Sequence, residues 1–221
     1  MITKFGLYDF IAGVIPGILF LWGISLLSGC VDIPLTVTGG LTETTILIAL
    51  AYVSGLILQG LSQGITERIL LKIWGGFPSA RLLLQEDKQL SEEYKNKIKQ
   101  IVESRYSIKA GKGLSKKDQM KRNQEIFYLC YNAVDKEKLS DRPQIFNAHY
   151  GLFRCLLTTF SLIFLFDLGI LFFGGLQKKS LLYVLLAFSL VGAVVSYFRT
   201  KKRGEDFAKS IYDLFVVRFS E

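Results

Sequence analysis

The sequence predicts an all-α fold: a polytopic membrane protein with four transmembrane helices and a helical cytosolic domain. Three observations carry that prediction. Half of the 221 residues are hydrophobic, and the mean hydropathy is +0.34. The apolar content is pooled in four runs nearly free of charge (10–28, 44–58, 155–176 and 181–198), whereas 67–154 holds 29 of the 46 charged residues. That charged middle shows no alternating β pattern and many helix signals.

A bilayer core of ~30 Å takes about 20 apolar residues in a helix. Runs one, three and four meet that length directly. Run two meets it if its helix continues through Gln59, Ser62 and Gln63 to about Ile65. Any one run could be a buried helix of a soluble protein, but a chain this short has too little polar material to cover four. The expected domains are 1–66 (spans one and two), 67–149 (a basic helical cytosolic domain), 150–198 (spans three and four) and 199–221 (an amphipathic tail helix).

Orientation follows the distribution of Lys and Arg. Lys4 precedes span one, 67–154 carries 18 basic residues, and the tail carries Arg199, Lys201, Lys202, Arg203, Lys209 and Arg218. Only Lys178 and Lys179 fall on the other side, and the first outer loop, 30–43, holds Asp32 and Glu43 with no base. Both termini are therefore expected in the cytoplasm, with the lipid bilayer as the chain's solvent. Leu27-Ser28-Gly29-Cys30 also resembles a lipoprotein cleavage site. The thin basic lead and Asp9 at the edge of the apolar run argue for a retained span instead.

In span one, Gly13-Val14-Ile15-Pro16-Gly17 predicts a kink and room for a neighbouring helix, either for packing or as a gating hinge. In span two, Gly60 and Gly64 form a small-xxx-small pair, and Gln59, Ser62 and Gln63 share roughly one face. That face should meet another helix or line a polar pore, since amides facing lipid lack partners. Asp167 sits mid-span, where an acid is costly. It is expected to be protonated, hydrogen-bonded to a group such as Gln59 or Gln63, or exposed in a conduit. Asp167, Gln59, Ser62 and Gln63 are thus the pore or gating candidates.

In the cytosolic part, Ser91 followed by Glu92 and Glu93 opens a helix to about Tyr106, and Ser115 with Asp118 opens a second. Ser140-Asp141-Arg142-Pro143 opens a third that runs on into span three. Arg105, Lys109, Lys112, Lys116, Lys117, Lys121 and Arg122 face a single nearby acid, Asp118, with Tyr106, Phe127, Tyr128 and Tyr131 close by. The Gly111-Lys112-Gly113 break feeding a helix N-terminus is suited to phosphates, and the tyrosines to stacked bases. Contact with anionic headgroups and plain solvation are equally open readings. In the tail, Phe207, Ile211, Leu214 and Phe215 form an apolar side expected to pack on the cytosolic domain or, failing that, on the membrane surface.

Enzymatic classes find no support. One histidine, His149, and three cysteines without ligand spacing (Cys30, Cys130, Cys155) give no triad, metal site or disulfide framework. No cofactor is expected.

Tyr8-Asp9-Phe10 leading to Ile15-Pro16-Gly17, Tyr52-Val53-Ser54-Gly55 with Gln59 and Ser62, and Phe146-Asn147-Ala148-His149-Tyr150-Gly151-Leu152-Phe153-Arg154 together carry a resemblance. The chain resembles small bacterial four-span proteins of antiphage defence loci, such as the membrane subunit of the Hailong system. That resemblance implies a homo-oligomeric channel (a tetramer among the options) controlled by a nucleotide or single-stranded oligonucleotide, and a nucleotidyltransferase partner. The residues themselves also allow a non-conducting anchor that recruits a soluble partner through its cytosolic helices.

Overall fold

The computed structural model describes residues 7–30, 40–107, 115–173 and 179–220. Lys4, Asp32, Lys109, Lys112, Lys178 and the Gly111-Lys112-Gly113 break lie outside them, as do the side chains of Asp9, Cys30 and Glu43. Every regular element among the described residues is helical: α1 (Leu7–Cys30), α2 (Leu41–Leu61), a π turn (Ser62–Thr66), α3 (Glu67–Trp74), α4 (Pro78–Arg81), α5 (Glu92–Tyr106), α6 (Lys116–Lys136), α7 (Asp141–Phe173) and α8 (Lys179–Phe219). Three helical stretches are long and apolar enough to cross a membrane: Thr44–Arg81, Asp141–Phe172 and Lys179–Phe219. A shorter apolar stretch, Gly13–Leu27, lies within α1. Such a set is compatible with a multi-pass membrane protein.

The chain divides into two compact units, residues 1–68 with 148–200, and residues 69–147 with 201–221. In the first, α1 runs unbroken through Pro16. The close approach predicted for its glycines is made to α2. A Cβ on Gly17 would overlap the Ala51 carbonyl, and one on Gly55 would overlap that of Gly13. Small residues four apart on both helices thus bring backbone onto backbone. At Gly60 and Gly64, the pair expected to do this, an added Cβ would meet no other part of the chain within 4 Å. Further along α1, Gly23 makes room for Ile163 of α7, and Gly192 of α8 makes room for Phe160. The rings of Phe160 and Phe188 meet edge to face at 5.7 Å, and Trp22 meets Phe188 at 6.1 Å. The outward faces remain apolar: Ile46, Leu50, Val53 and Ile57 on α2, and Val184, Val191, Val195 and Phe198 on α8, are all exposed.

The second unit has an aqueous-type core of Leu82, Leu83, Ile98, Val102, Ile126, Phe127, Cys130, Val134, Ala208, Ile211, Tyr212 and Phe215. The tail is no separate helix. It is the C-terminal part of α8, which continues to Phe219 and packs its apolar side on α5 and α6 of its own chain. The Tyr212 hydroxyl donates to the Ser79 carbonyl at 2.8 Å, and Asn123 Nδ2 donates to the Ala80 carbonyl at 3.0 Å, fixing α4. Ser91 caps α5, accepting from the Tyr94 N–H at 3.2 Å, and α5 ends at Ser107 in the left-handed region with φ 55°. Ser115 caps α6 by the same contact to the Asp118 N–H.

Lys95 is the unexpected member of this core. Its side chain is 1% exposed, and Nζ donates to the carbonyls of Leu84 at 2.8 Å and Asp87 at 2.5 Å and to Glu92 Oε1 at 2.8 Å. One ammonium thereby satisfies the backbone of the irregular stretch that links α4 to α5.

Candidate functional site

The polar residues predicted in the apolar helices do not share one face. Ser62 is buried and donates to the Gln59 carbonyl at 2.8 Å, bonding within its own helix. Gln59 is half-buried, and Gln63 is exposed. Helical spacing is the cause: at about 100° per residue Gln59 stands about 60° and Gln63 about 100° round the helix from Ser62. A π turn begins at Ser62, where the Glu67 N–H bonds the Ser62 carbonyl five residues back.

Asp167 is fully buried, and its partner is Ser189 of α8, whose Oγ lies 2.9 Å from Oδ2. The same Oγ is 3.2 Å from the Leu186 carbonyl, and Asp167 Oδ1 has no partner. A hydroxyl has one hydrogen to give. Ser189 Oγ therefore serves Asp167 Oδ2 and the Leu186 carbonyl in turn. No glutamine is engaged. Ser189 could not be singled out in sequence, because a serine in an apolar helix usually bonds its own backbone.

Just beyond the π turn lies a polar cluster that sequence reasoning missed. Glu67 Oε2 pairs with Arg154 Nη1 at 2.7 Å, with side chains 19% and 8% exposed. The Tyr150 hydroxyl donates to Glu67 Oε1 at 2.8 Å. The hydroxyls of Thr66 and Thr158 are 2.7 Å apart, and Thr158 also donates to the Arg154 carbonyl at 3.1 Å. Arg154 lies over the Tyr150 ring, 5.3 Å from its centre. Arg154 Nε and His149 Nδ1 are buried without hydrogen-bond partners. The available signal was the coincidence of an acid and a base at the ends of two apolar runs.

The bases of 105–122 are dispersed in role. Arg105 stacks on Phe219, 4.1 Å from the ring centre. Lys116 pairs with Glu86 at 2.6 Å, both well exposed, and Arg122 pairs with Glu125 at 2.8 Å. Exposed pairs of this kind contribute ~0–1 kcal/mol, so these cations remain available to an incoming anion. Lys117 and Lys121 are exposed. The N-terminus of α6 is partly occupied already. Ser115 Oγ donates to Asp118 Oδ2 at 2.6 Å, placing a carboxylate where a phosphate would sit. Elsewhere in this unit a cavity of about 340 Å³ is lined by Arg142, Phe146, Asp206, Lys209, Ser210 and Asp213, among others. Asp213 accepts from the Tyr94 hydroxyl at 2.6 Å. Burial first, and this carboxylate second, push the Tyr94 phenol well above its usual range.

No group of three or more His, Cys, Asp or Glu able to hold a metal occurs among the described residues. Comparison with family models, with curated proteins and with solved structures finds no match. The functional reading therefore rests on the residues and their geometry.

Proposed function

We propose that the chain is a four-span protein of the bacterial inner membrane, with both termini cytoplasmic, that assembles as a homo-oligomeric channel gated by an anionic cytosolic ligand. The observation that supports assembly best is the outer face of α2 and the π turn. Gly60, Gln63 and Gly64 are exposed there among Ile57, Leu61 and Ile65. Lipid leaves an amide's donors and acceptors unpaired, whereas a second copy or a water-filled path supplies them. In this reading Gln59 and Gln63 lie towards the shared axis, and Asp167 is a polar joint between α7 and α8 close to it. The exposed bases Lys117 and Lys121, with Lys116 and Arg122, receive the ligand. The resemblance to antiphage membrane effectors gives its class: a nucleotide or single-stranded oligonucleotide made by a partner nucleotidyltransferase.

A second reading, a non-conducting anchor that recruits a soluble partner, draws on the enclosure of Asp167 against Ser189. Ion flux from proteoliposomes separates the two. The channel reading expects flux that changes on adding or removing a single-stranded oligodeoxynucleotide, and loss of that response when Lys117 and Lys121 are reversed to Glu. Protein that is oligomeric yet never conducts, with or without oligonucleotide, would sink it.

A further inference from the structure

Within the second unit, the first turns of α7 and the C-terminal part of α8 line the cavity of about 340 Å³, a size in the ~300–1,000 Å³ range of small-molecule sites. Arg142 and Phe146 stand one turn apart on α7, and Asp206, Lys209, Asp213 and Leu214 follow one another along one side of α8. The two acids are already engaged. Asp206 pairs with Arg203 at 3.4 Å, and Asp213 accepts from the Tyr94 hydroxyl at 2.6 Å. Arg203 in turn lies over the Phe146 ring, 5.7 Å from its centre. Arg142 and Lys209, by contrast, have no partner among the described residues. Counting Arg203, three bases meet two acids, and one positive charge is left over. The rest of the wall is apolar, with Phe146 and Leu214 both half-buried.

We propose that this cavity binds a small monocarboxylate with an apolar chain or ring, its carboxylate held by Arg142 and Lys209 and its body laid against Phe146 and Leu214. A guanidinium presents a planar fork that matches the two oxygens of a carboxylate, and an ammonium adds a point charge. The surplus of one positive charge sets the valence of the ligand. A carboxylate carries a single negative charge at neutral pH, whereas a phosphate monoester carries about −1.5 to −2. The excess on a phosphate would be brought up to Asp206 and Asp213, and like charges set side by side in a site exclude the wrong ligand. The apolar body exchanges water for the Phe146 ring and the Leu214 side chain. The inference goes beyond the channel reading and does not depend on it: Lys117 and Lys121, offered there to an oligonucleotide, do not line this cavity.

Equilibrium dialysis of radiolabelled hexanoate against the full chain in detergent, corrected for uptake by detergent alone, reads the site directly. Saturable uptake of one hexanoate per chain is expected. Benzoate should displace it, but acetate, which lacks the apolar body, and hexylamine, which carries the wrong charge, should not. Hexyl phosphate should compete about tenfold less well than hexanoate. Arg142→Gln should weaken uptake about tenfold, as loss of a charge-assisted pair does, and Lys209→Gln should weaken it as well. Both variants should keep the thermal midpoint of the second unit, because neither side chain has a partner to lose. Asp213→Asn, which removes one flanking charge, should narrow the gap between hexanoate and hexyl phosphate. Absence of saturable uptake, uptake unchanged in both glutamine variants, or hexyl phosphate held as tightly as hexanoate by the parent chain overturns the proposal. Flux plays no part in this readout, so a chain that never conducts leaves the site standing.

Discussion

Replacing Lys95 with methionine tests whether a buried ammonium holds the second unit together. Methionine fills much of the volume of the lysine stem but leaves the Leu84 and Asp87 carbonyls without their donor. A buried acceptor left unpaired costs ~1–3 kcal/mol, so the two cost roughly 2–6 kcal/mol. Glu92 is 55% exposed and turns to water at little expense. Relief from burying a charge offsets part of the loss, and a net destabilisation of ~2–4 kcal/mol remains. For a unit of about a hundred residues, each kcal/mol moves the midpoint by ~4–8 °C, so a fall of roughly 8–32 °C is expected. The assay is built in: the protein has two tryptophans, and Trp74 is buried in this unit. Its emission in a Trp22→Phe background, followed through a thermal ramp in detergent, reports the unit alone. Arginine at 95 should recover little, because a planar fork cannot converge on three acceptors as an ammonium does. A shift below ~2 °C for Lys95→Met would refute the reasoning and make the lysine a bystander.

Gly55→Ala forces a Cβ onto the Gly13 carbonyl, and overpacking of this kind costs ~1–3 kcal/mol or more. Trp22 emission should melt several degrees earlier, while Gly60→Ala and Gly64→Ala, which meet open space, leave the midpoint unchanged or slightly raised. Arg154→Met strands Glu67 beside Tyr150 and should cost ~3–5 kcal/mol in the same melt, with most of it recovered in the Arg154→Met, Glu67→Met double variant. Burial raises the Cys130, Tyr94, Tyr131 and Tyr212 groups in the folded second unit above their ordinary values. The unfolded chain therefore gives up these protons first. The stability tied to them is whole below about pH 9 and is lost as pH climbs past the ordinary thiol and phenol values of ~8.5–10. The midpoint read by Trp74 should be flat from about pH 6 to 8 and fall steadily above 9; a midpoint that rises with alkali would contradict it.

Features set by local chemistry were legible in the sequence. Ser91 and Ser115 announce α5 and α6 because a cap is a contact over three residues, and Pro143 marks the first turn of α7, where a missing N–H costs nothing. Long charge-free runs announce long apolar helices. What depends on a distant partner was not legible. Gly55 and Gly60 look alike in sequence, and only the path of α1 decides which one is crossed. Asp167 declared itself as an acid in need of a partner, but Ser189 stands 22 residues away with nothing to mark it. Nothing in the sequence separates Lys95 from the other bases of α5. The loop that buries it is irregular, and its carbonyls carry no periodic signal.

The crossing of α1 over α2 has a mechanical consequence. Where Gly17 faces Ala51 and Gly55 faces Gly13, peptide planes touch with no side chain between them, so the joint has no compressible padding. Its axis separation is set by covalent geometry and hard-sphere radii, and a change of lipid thickness or temperature has little to work on. The two helices can swivel about that point or travel as a pair, but they cannot draw closer, and any rearrangement of this hairpin must treat it as a fixed fulcrum.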